Sequence, residues 1–129
     1  MNILITGSQG YLGQIVLKKL ISRKEQLGIQ QIVGMDIQAL EQMPADYQYI
    51  QKDIRDTSIS DMCIEYKITH IVHLAAIINT QNHSREFLYE VDVLGTKNII
   101  EAAIAAKSKQ IIISSSGAAY GYHADNPKW

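Results

Sequence analysis

Five short apolar runs punctuate the chain: Asn2–Thr6, Gln31–Asp36, Tyr47–Gln51, His70–Ala75 and Gln110–Ser114. Four are dense in Ile and Val, a composition that suits strands covered on both faces, as in a parallel sheet. Tyr47–Gln51 mixes Tyr and Ile with Gln and is expected at a sheet edge. Between these runs the apolar spacing changes to three and four. Tyr11–Arg23 groups Leu12, Ile15, Val16, Leu20 and Ile21 and turns Lys18, Lys19 and Arg23 outward. Thr57–Tyr66 opens with Ser58-x-x-Asp61, a spacing compatible with a capping box. Strands alternating with helices predict a doubly wound α/β fold with a parallel sheet of about five strands.

Ser84–Lys107 is the longest predicted helix, and it carries two apolar stripes. Leu88, Val91, Gly95, Ile99, Ala102, Ala103 and Ala106 share the side expected against the sheet. Tyr89, Val93, Thr96, Ile100 and Ile104 form a second stripe, bordered by Glu86, Glu90, Lys97 and Glu101. One stripe suffices to pack on a sheet. The second suits either a broad face buried within the same domain or a contact with another subunit or a further part of the chain.

The 129 residues are read as one domain spanning 1–129, with 47% apolar and 19% charged residues. A net charge of -1 without a basic stripe argues against nucleic acid or an anionic membrane as partner. The apolar runs are all too short to span a bilayer. The single cysteine, Cys63, cannot form an intramolecular disulfide, and zinc would need other ligands, so no metal site is expected. The first strand starts at Asn2, which leads us to expect no signal peptide and a cytoplasmic location.

Candidate chemistry begins at the first turn, Thr6-Gly7-Ser8-Gln9-Gly10-Tyr11-Leu12-Gly13, a Gly-x-x-Gly-x-x-Gly pattern between a strand and a helix. Glycines let a pyrophosphate approach the backbone, and the helix start offers N–H groups and the positive end of its dipole. Ordinary strand-to-helix turns also contain glycine. Here the pattern is followed, about 20 residues on, by Asp36 at the end of the second strand. A carboxylate there can accept hydrogen bonds from an adenosine ribose and would repel a 2′-phosphate, which favours NAD over NADP. A plain surface acid is the alternative for Asp36.

With these residues in view, the chain resembles the extended short-chain dehydrogenase/reductases, the NAD-dependent epimerases and dehydratases of nucleotide sugars. The resemblance implies a Rossmann-like fold and covers nearly the whole chain. It implies that Gly7, Gly10, Tyr11, Leu12, Gly13 and Asp36 bind the cofactor. Asp53-Ile54-Arg55-Asp56 resembles the third-strand motif, whose first acid contacts the adenine amino group while the next residue packs on the ring. His73-Leu74-Ala75-Ala76 resembles the fourth-strand motif, which would set Leu74, Ala75 and Ala76 along the cofactor. Val91–Asn98 resembles a helix motif in which Asp92 replaces the usual asparagine near the nicotinamide side. An ionised acid accepts hydrogen bonds but cannot donate them. Ser114–Gly121 resembles the fifth-strand motif, whose catalytic serine aligns with Ser116 and would hydrogen-bond the substrate oxygen. From the residues alone, His73 reads as a satisfied core histidine, Ala75 and Ala76 as packing residues, and the serines equally as a polar loop.

The family's acid/base is a tyrosine with a lysine four residues later, whose charge lowers the phenol's pKa. None of the seven tyrosines here has that lysine. The resemblance therefore implies that the family's remaining strands, its acid/base pair and its substrate region lie beyond Trp129. The chain alone is expected to bind cofactor and be inactive. It also implies that Tyr122–Trp129 lies near the substrate. Ile111, Ile112 and Ile113 would then form an open β edge, so we expect a homo-oligomer through that strand or through the Ser84–Lys107 helix. Two functions compete: the NAD-binding part of a nucleotide-sugar epimerase, dehydratase or reductase, or a non-catalytic dinucleotide-binding or sensor module. A flavin or nucleoside-phosphate binder fits the acidic positions less well.

Overall fold

The runs from Asn2, Gln31 and His70 form strands buried from both sides, because alternate residues face opposite helical layers. Ile112 and Ile113 of the Gln110–Ser114 run instead stay exposed at the sheet's edge, against the covered strand its composition predicts. In β1 (Asn2–Thr6), Ile3 and Ile5 join Leu17 of α1 (Tyr11–Ser22), with Ile29 and with Ile32 of β2 (Gln31–Asp36). Leu4, between them, points the other way into a larger cluster with Val33 and Met35 of β2. That cluster includes Ile59, Met62 and Cys63 of α2 (Ile59–Glu65) and Ile71 of β4 (His70–His73). The structure, a computed structural model, describes residues 1–121 and Asn126; the rest of the Tyr122–Trp129 tail lies outside the described residues.

All strand pairs are parallel, and the sheet order is β3-β2-β1-β4-β5, with β3 at Gln48–Gln51 and β5 at Gln110–Ile113. The polar third strand lies at one edge, as its composition predicts. The first two strands match the predicted runs at both ends, and the third starts one residue later. The fourth and fifth stop two and one residues short, since Leu74–Ala75 and Ser114 belong to the loops that leave the sheet. Among the described residues no helix is long and apolar enough to cross a membrane.

Two helical readings change. On α1, Leu12 and Ile15 face outward, 54% and 40% exposed, while Gly13 and Leu17 are buried. The contact line runs through Gly13, where a backbone rather than a side chain meets the sheet loop, and this rotates the buried face away from Leu12. Ser58 makes no side-chain cap on α2. Its hydroxyl is taken by Asp56 Oδ1 at 2.7 Å and by Lys52 Nζ at 2.8 Å, which compete with the capping geometry.

The long helix is not uniform. It comprises α3 (Arg85–Leu88), a π-helical segment Tyr89–Gly95 and α4 (Thr96–Ala105). Ser84 caps its start by accepting from the Phe87 N–H at 3.1 Å. Ile99, Ala102 and Ala103 are buried against α2 and the sheet, as the first stripe predicts. Most of the second stripe is exposed: Tyr89, Val93, Ile100 and Ile104 lie on the surface, so the stripe is not a broad face buried within this unit. Thr96 departs from that stripe and turns inward to His73.

The two stripes should respond differently to truncation. Ile99→Ala should lower the unfolding free energy by about 2–5 kcal/mol. Ile104→Ala should change it by no more than about 0.5 kcal/mol. Urea unfolding of both variants checks the assignment, and equal losses would contradict it.

Candidate functional site

The turn after β1 is built by contact of backbone on backbone. Gly7 has φ +68°, and a Cβ there would stand 2.8 Å from the Ala75 nitrogen and 2.9 Å from the Leu74 carbonyl carbon. Both conformation and space therefore demand glycine. A Cβ on Gly13 would stand 2.1 Å from the Gly7 oxygen, so the first turn of α1 lies directly on the loop. Gly10 is the N-cap of α1 and provides no side-chain cap. The leading N–H groups at Tyr11, Leu12 and Gly13 have no preceding helical turn to bond and lie at the positive end of the helix. Tyr11, 83% exposed, and Leu12 flank this opening.

Asp36 ends β2 beside that turn. Its Oδ2 accepts from the Gln9 N–H at 2.9 Å and its Oδ1 from the Gln38 N–H at 3.3 Å. A carboxylate has about four lone-pair directions, so each oxygen keeps capacity for another donor. Tyr49 supports the next turn by donating its hydroxyl to the Gln38 and Asp36 carbonyls. Burial, and then the negative charge of Asp36, push the Tyr49 pKa up and keep the phenol a neutral donor. Gln14 donates to Ser8 O and to Gln9 Oε1, both at 3.0 Å. Neither glutamine has a sequence signature, since their use depends on the loop's three-dimensional path.

Past β3, the Asp53–Asp56 loop carries a dense polar cluster. Arg55 surrounds the Asp53 carboxylate with its N–H at 2.9 Å, Nε at 3.1 Å and a terminal nitrogen at 2.7 Å. Hydrogen bonding to the Arg55 side chain leads the causes that lower the Asp53 pKa. The other terminal nitrogen reaches Glu90 Oε2 at 3.1 Å, and the guanidinium lies 5.1 Å from the Phe87 ring centroid. Ile54 is buried in the core below Gly95 rather than displayed on the loop's surface. Asp56 is held near pKa 2, first by hydrogen bonds from Ser58 and then by Lys52.

His73 is the last residue of β4, 2% exposed, with both ring nitrogens engaged. Thr6 Oγ1 lies 2.6 Å from Nδ1, and Thr96 Oγ1 lies 3.0 Å from Nε2. Thr6 Oγ1 also accepts from the Leu74 and Ala75 N–H groups, each at 3.3 Å. Its proton is therefore best given to Nδ1, which leaves Nε2–H to donate to Thr96. Burial lowers the His73 pKa from 6.5 to about 4, against the opposing charge of Asp92. Asp92, in the π-helical segment, accepts the Ile77 N–H on Oδ1 at 3.0 Å. The acid thus ties the loop after Ala76 to the helix through its acceptor capacity alone.

Ser116 follows β5, exposed, beyond a Ser114 N–H that bonds the His73 carbonyl at 3.0 Å. Gly7, Asp36, Asp53, Leu74–Ala76 and Ser116 accordingly lie at or just after the C-terminal ends of β1, β2, β3, β4 and β5. The order reverses between β1 and β4, the switch point at which open α/β sheets hold ligands. Among the described residues no group of three or more His, Cys, Asp or Glu is placed to hold a metal ion.

The profile of the "NAD dependent epimerase/dehydratase family" matches residues 3–128. The chain is 27% identical to sterol demethylase protein B of Methylococcus capsulatus, covering 100% of this chain and 39% of that protein. It is 30% identical to UDP-glucose 4-epimerase of Halalkalibacterium halodurans, covering 94% and 36%. Among solved structures, Bordetella bronchiseptica WbmG in complex with NAD matches with TM-score 0.82 and 25% identity, over 99% of this chain and 41% of that one. WbmG in complex with NAD and UDP matches with TM-score 0.80 and 25% identity, over 95% and 40%. The chain spans about two fifths of the length of the curated relatives it matches.

Burial of His73 sets a pH dependence. Between pH 6.5 and about 4 the unfolded chain binds a proton that the folded chain refuses, so stability is full above 6.5 and falls with pH. The expected loss from this group is on the order of 3 kcal/mol by pH 4. Urea unfolding of wild type and His73→Gln across pH 7 to 4 measures it. A slope unchanged by the substitution would assign the loss elsewhere.

Proposed function

The chain belongs to the NAD dependent epimerase/dehydratase family, and we propose that it serves as the NAD-binding part of a protein acting on a nucleotide sugar. The observation that carries this reading is the glycine cradle. Its backbone closes on Leu74–Ala75 at one end and on α1 at the other, leaving no room for a Cβ at Gly7 or Gly13. Such a surface fits a pyrophosphate, which needs N–H donors and the absence of side chains.

The N–H groups at Tyr11, Leu12 and Gly13 would bind the phosphates, with Gly7 and Gly10 shaping the turn. Asp36 would accept from the adenosine ribose and repel a 2′-phosphate. Asp53 would accept from the adenine amino group, with Ile54 forming the floor of that loop. Leu74, Ala75 and Ala76 would border the cofactor, and Asp92 would hold the loop after Ala76 in place. When bound, NAD would supply acceptance and return of a hydride. Ser116 would orient a substrate oxygen by donating a hydrogen bond. The names of the relatives support the substrate class: UDP-glucose 4-epimerases recur among them, and WbmG is solved with NAD and UDP.

No tyrosine of the 129 residues has a lysine four positions on. The proposal for this chain taken alone is therefore binding without turnover. The same fact favours, as a second reading, a non-catalytic dinucleotide-binding module. The cytoplasm is the proposed compartment, where buried Cys63 needs no oxidising partner.

Calorimetric titration with NAD and NADP tests the cofactor reading. We expect NAD to bind more tightly than NADP, and Asp36→Ala to weaken NAD by about 10-fold or more. Absence of NAD binding by the wild type would overturn the reading.

We also propose self-association through the exposed β5 residues Ile112 and Ile113 or the outer stripe of Tyr89, Val93 and Ile104. Sedimentation velocity should show a coefficient that rises with concentration. A constant monomer value would overturn the proposal.

A further inference from the structure

Asn98 stands on α4, far along the chain from the Asp53–Asp56 loop, yet its side-chain amide is committed to that loop. Nδ2 donates to the Ile54 carbonyl at 2.7 Å and to the Asp56 carbonyl at 2.9 Å. An amide NH₂ has two hydrogens, so both are used. The loop is also tied within itself, since the Asp56 N–H donates to the Asp53 carbonyl at 3.0 Å. Its outer side is tied to the π-helical segment through Arg55 and Glu90. That ion pair is exposed and contributes little by itself. The part-buried Asn98 bond to the Ile54 carbonyl is therefore the stronger anchor.

The anchored loop has one notable acceptor. Arg55 makes four contacts with the Asp53 carboxylate through three N–H groups, because Nε–H is shared between Oδ1 at 3.1 Å and Oδ2 at 3.2 Å. Three hydrogens against about four lone-pair directions leave capacity for one further donor. Moving outward from β1, the strand ends carry the glycine cradle, then Asp36, then this loop. With phosphates at the first and ribose at the second, the base is the part of an adenosine that reaches the third. An acceptor with a single remaining direction is selective only if the backbone beneath it is fixed.

We propose that Asn98 is a positioning residue for base recognition: by fixing the Ile54 and Asp56 carbonyls, it holds Asp53 where it distinguishes an exocyclic amine from a carbonyl oxygen. This rests on the cofactor reading above and deepens it. Asn98 touches no ligand in this account. It acts through the loop, and Asp36 governs the separate choice between a ribose hydroxyl and a 2′-phosphate.

The test compares the full chain's affinity for NAD with that for nicotinamide hypoxanthine dinucleotide, in which a carbonyl oxygen replaces the adenine amino group. Wild type should prefer NAD by about 10-fold, the worth of one hydrogen bond to a charged group. Asn98→Ala should bring the two affinities within about twofold while keeping the preference for NAD over NADP. Asn98→Ser, with one donor in place of two, should fall between and carries the test if the alanine variant does not fold. Equal weakening of both dinucleotides, with their ratio intact, would make Asn98 merely structural and overturn the proposal. A wild type that binds NAD without discriminating the base would also overturn it and leave the cofactor reading standing. A wild type that binds neither dinucleotide would remove the cofactor reading itself.

Discussion

The closest constraint in this molecule is the meeting of three backbone segments without an intervening side chain. The loop at Gly7 touches the chain leaving β4 at Leu74–Ala75, and the first turn of α1 touches the same loop through Gly13. Overlap of a Cβ with backbone cannot be relieved by a rotamer change, so the tolerance here is set by the fold itself. The direction of α1, the burial of Leu17 and the outward turn of Leu12 all follow from that approach.

Polar struts then hold the strand ends around the cradle. Thr6, His73 and Thr96 join β1, β4 and α4 in one buried chain of hydrogen bonds. The Leu74 and Ala75 N–H groups reach the same Thr6 hydroxyl, which places the chain after β4 beside Gly7. Asp92 fixes the following turn at Ile77, and Asn98 fixes the loop after β3. These links tie the helical segment after Ser84 to both sides of the site. A buried network of this kind is rigid when every member has its partner and costly when one is lost.

The site was legible in part. Glycine spacing, the acid at the end of β2 and small residues after β4 could be read because each answers to a local requirement of backbone space or charge. Gln9, Tyr49 and Arg55 left no such trace. Their roles depend on which loop lies opposite, and polar side chains of these types occur on any surface. The capping-box spacing at Ser58 misled for a related reason: Asp56 and Lys52 reach the hydroxyl first.

By itself the sequence determined the alternation of strands and helices, the polar edge strand, the core stripe of Ile99, Ala102 and Ala103, and the glycine turn. Each is written in neighbouring residues, through periodicity or through backbone freedom. Tertiary structure alone decided the π-helical segment. It also decided that the second helical stripe faces outward, that Thr96 turns in to His73 and that Asn98 grips a loop more than forty positions earlier. These are contacts between segments distant in sequence, and they become defined only when the sheet order brings the segments together.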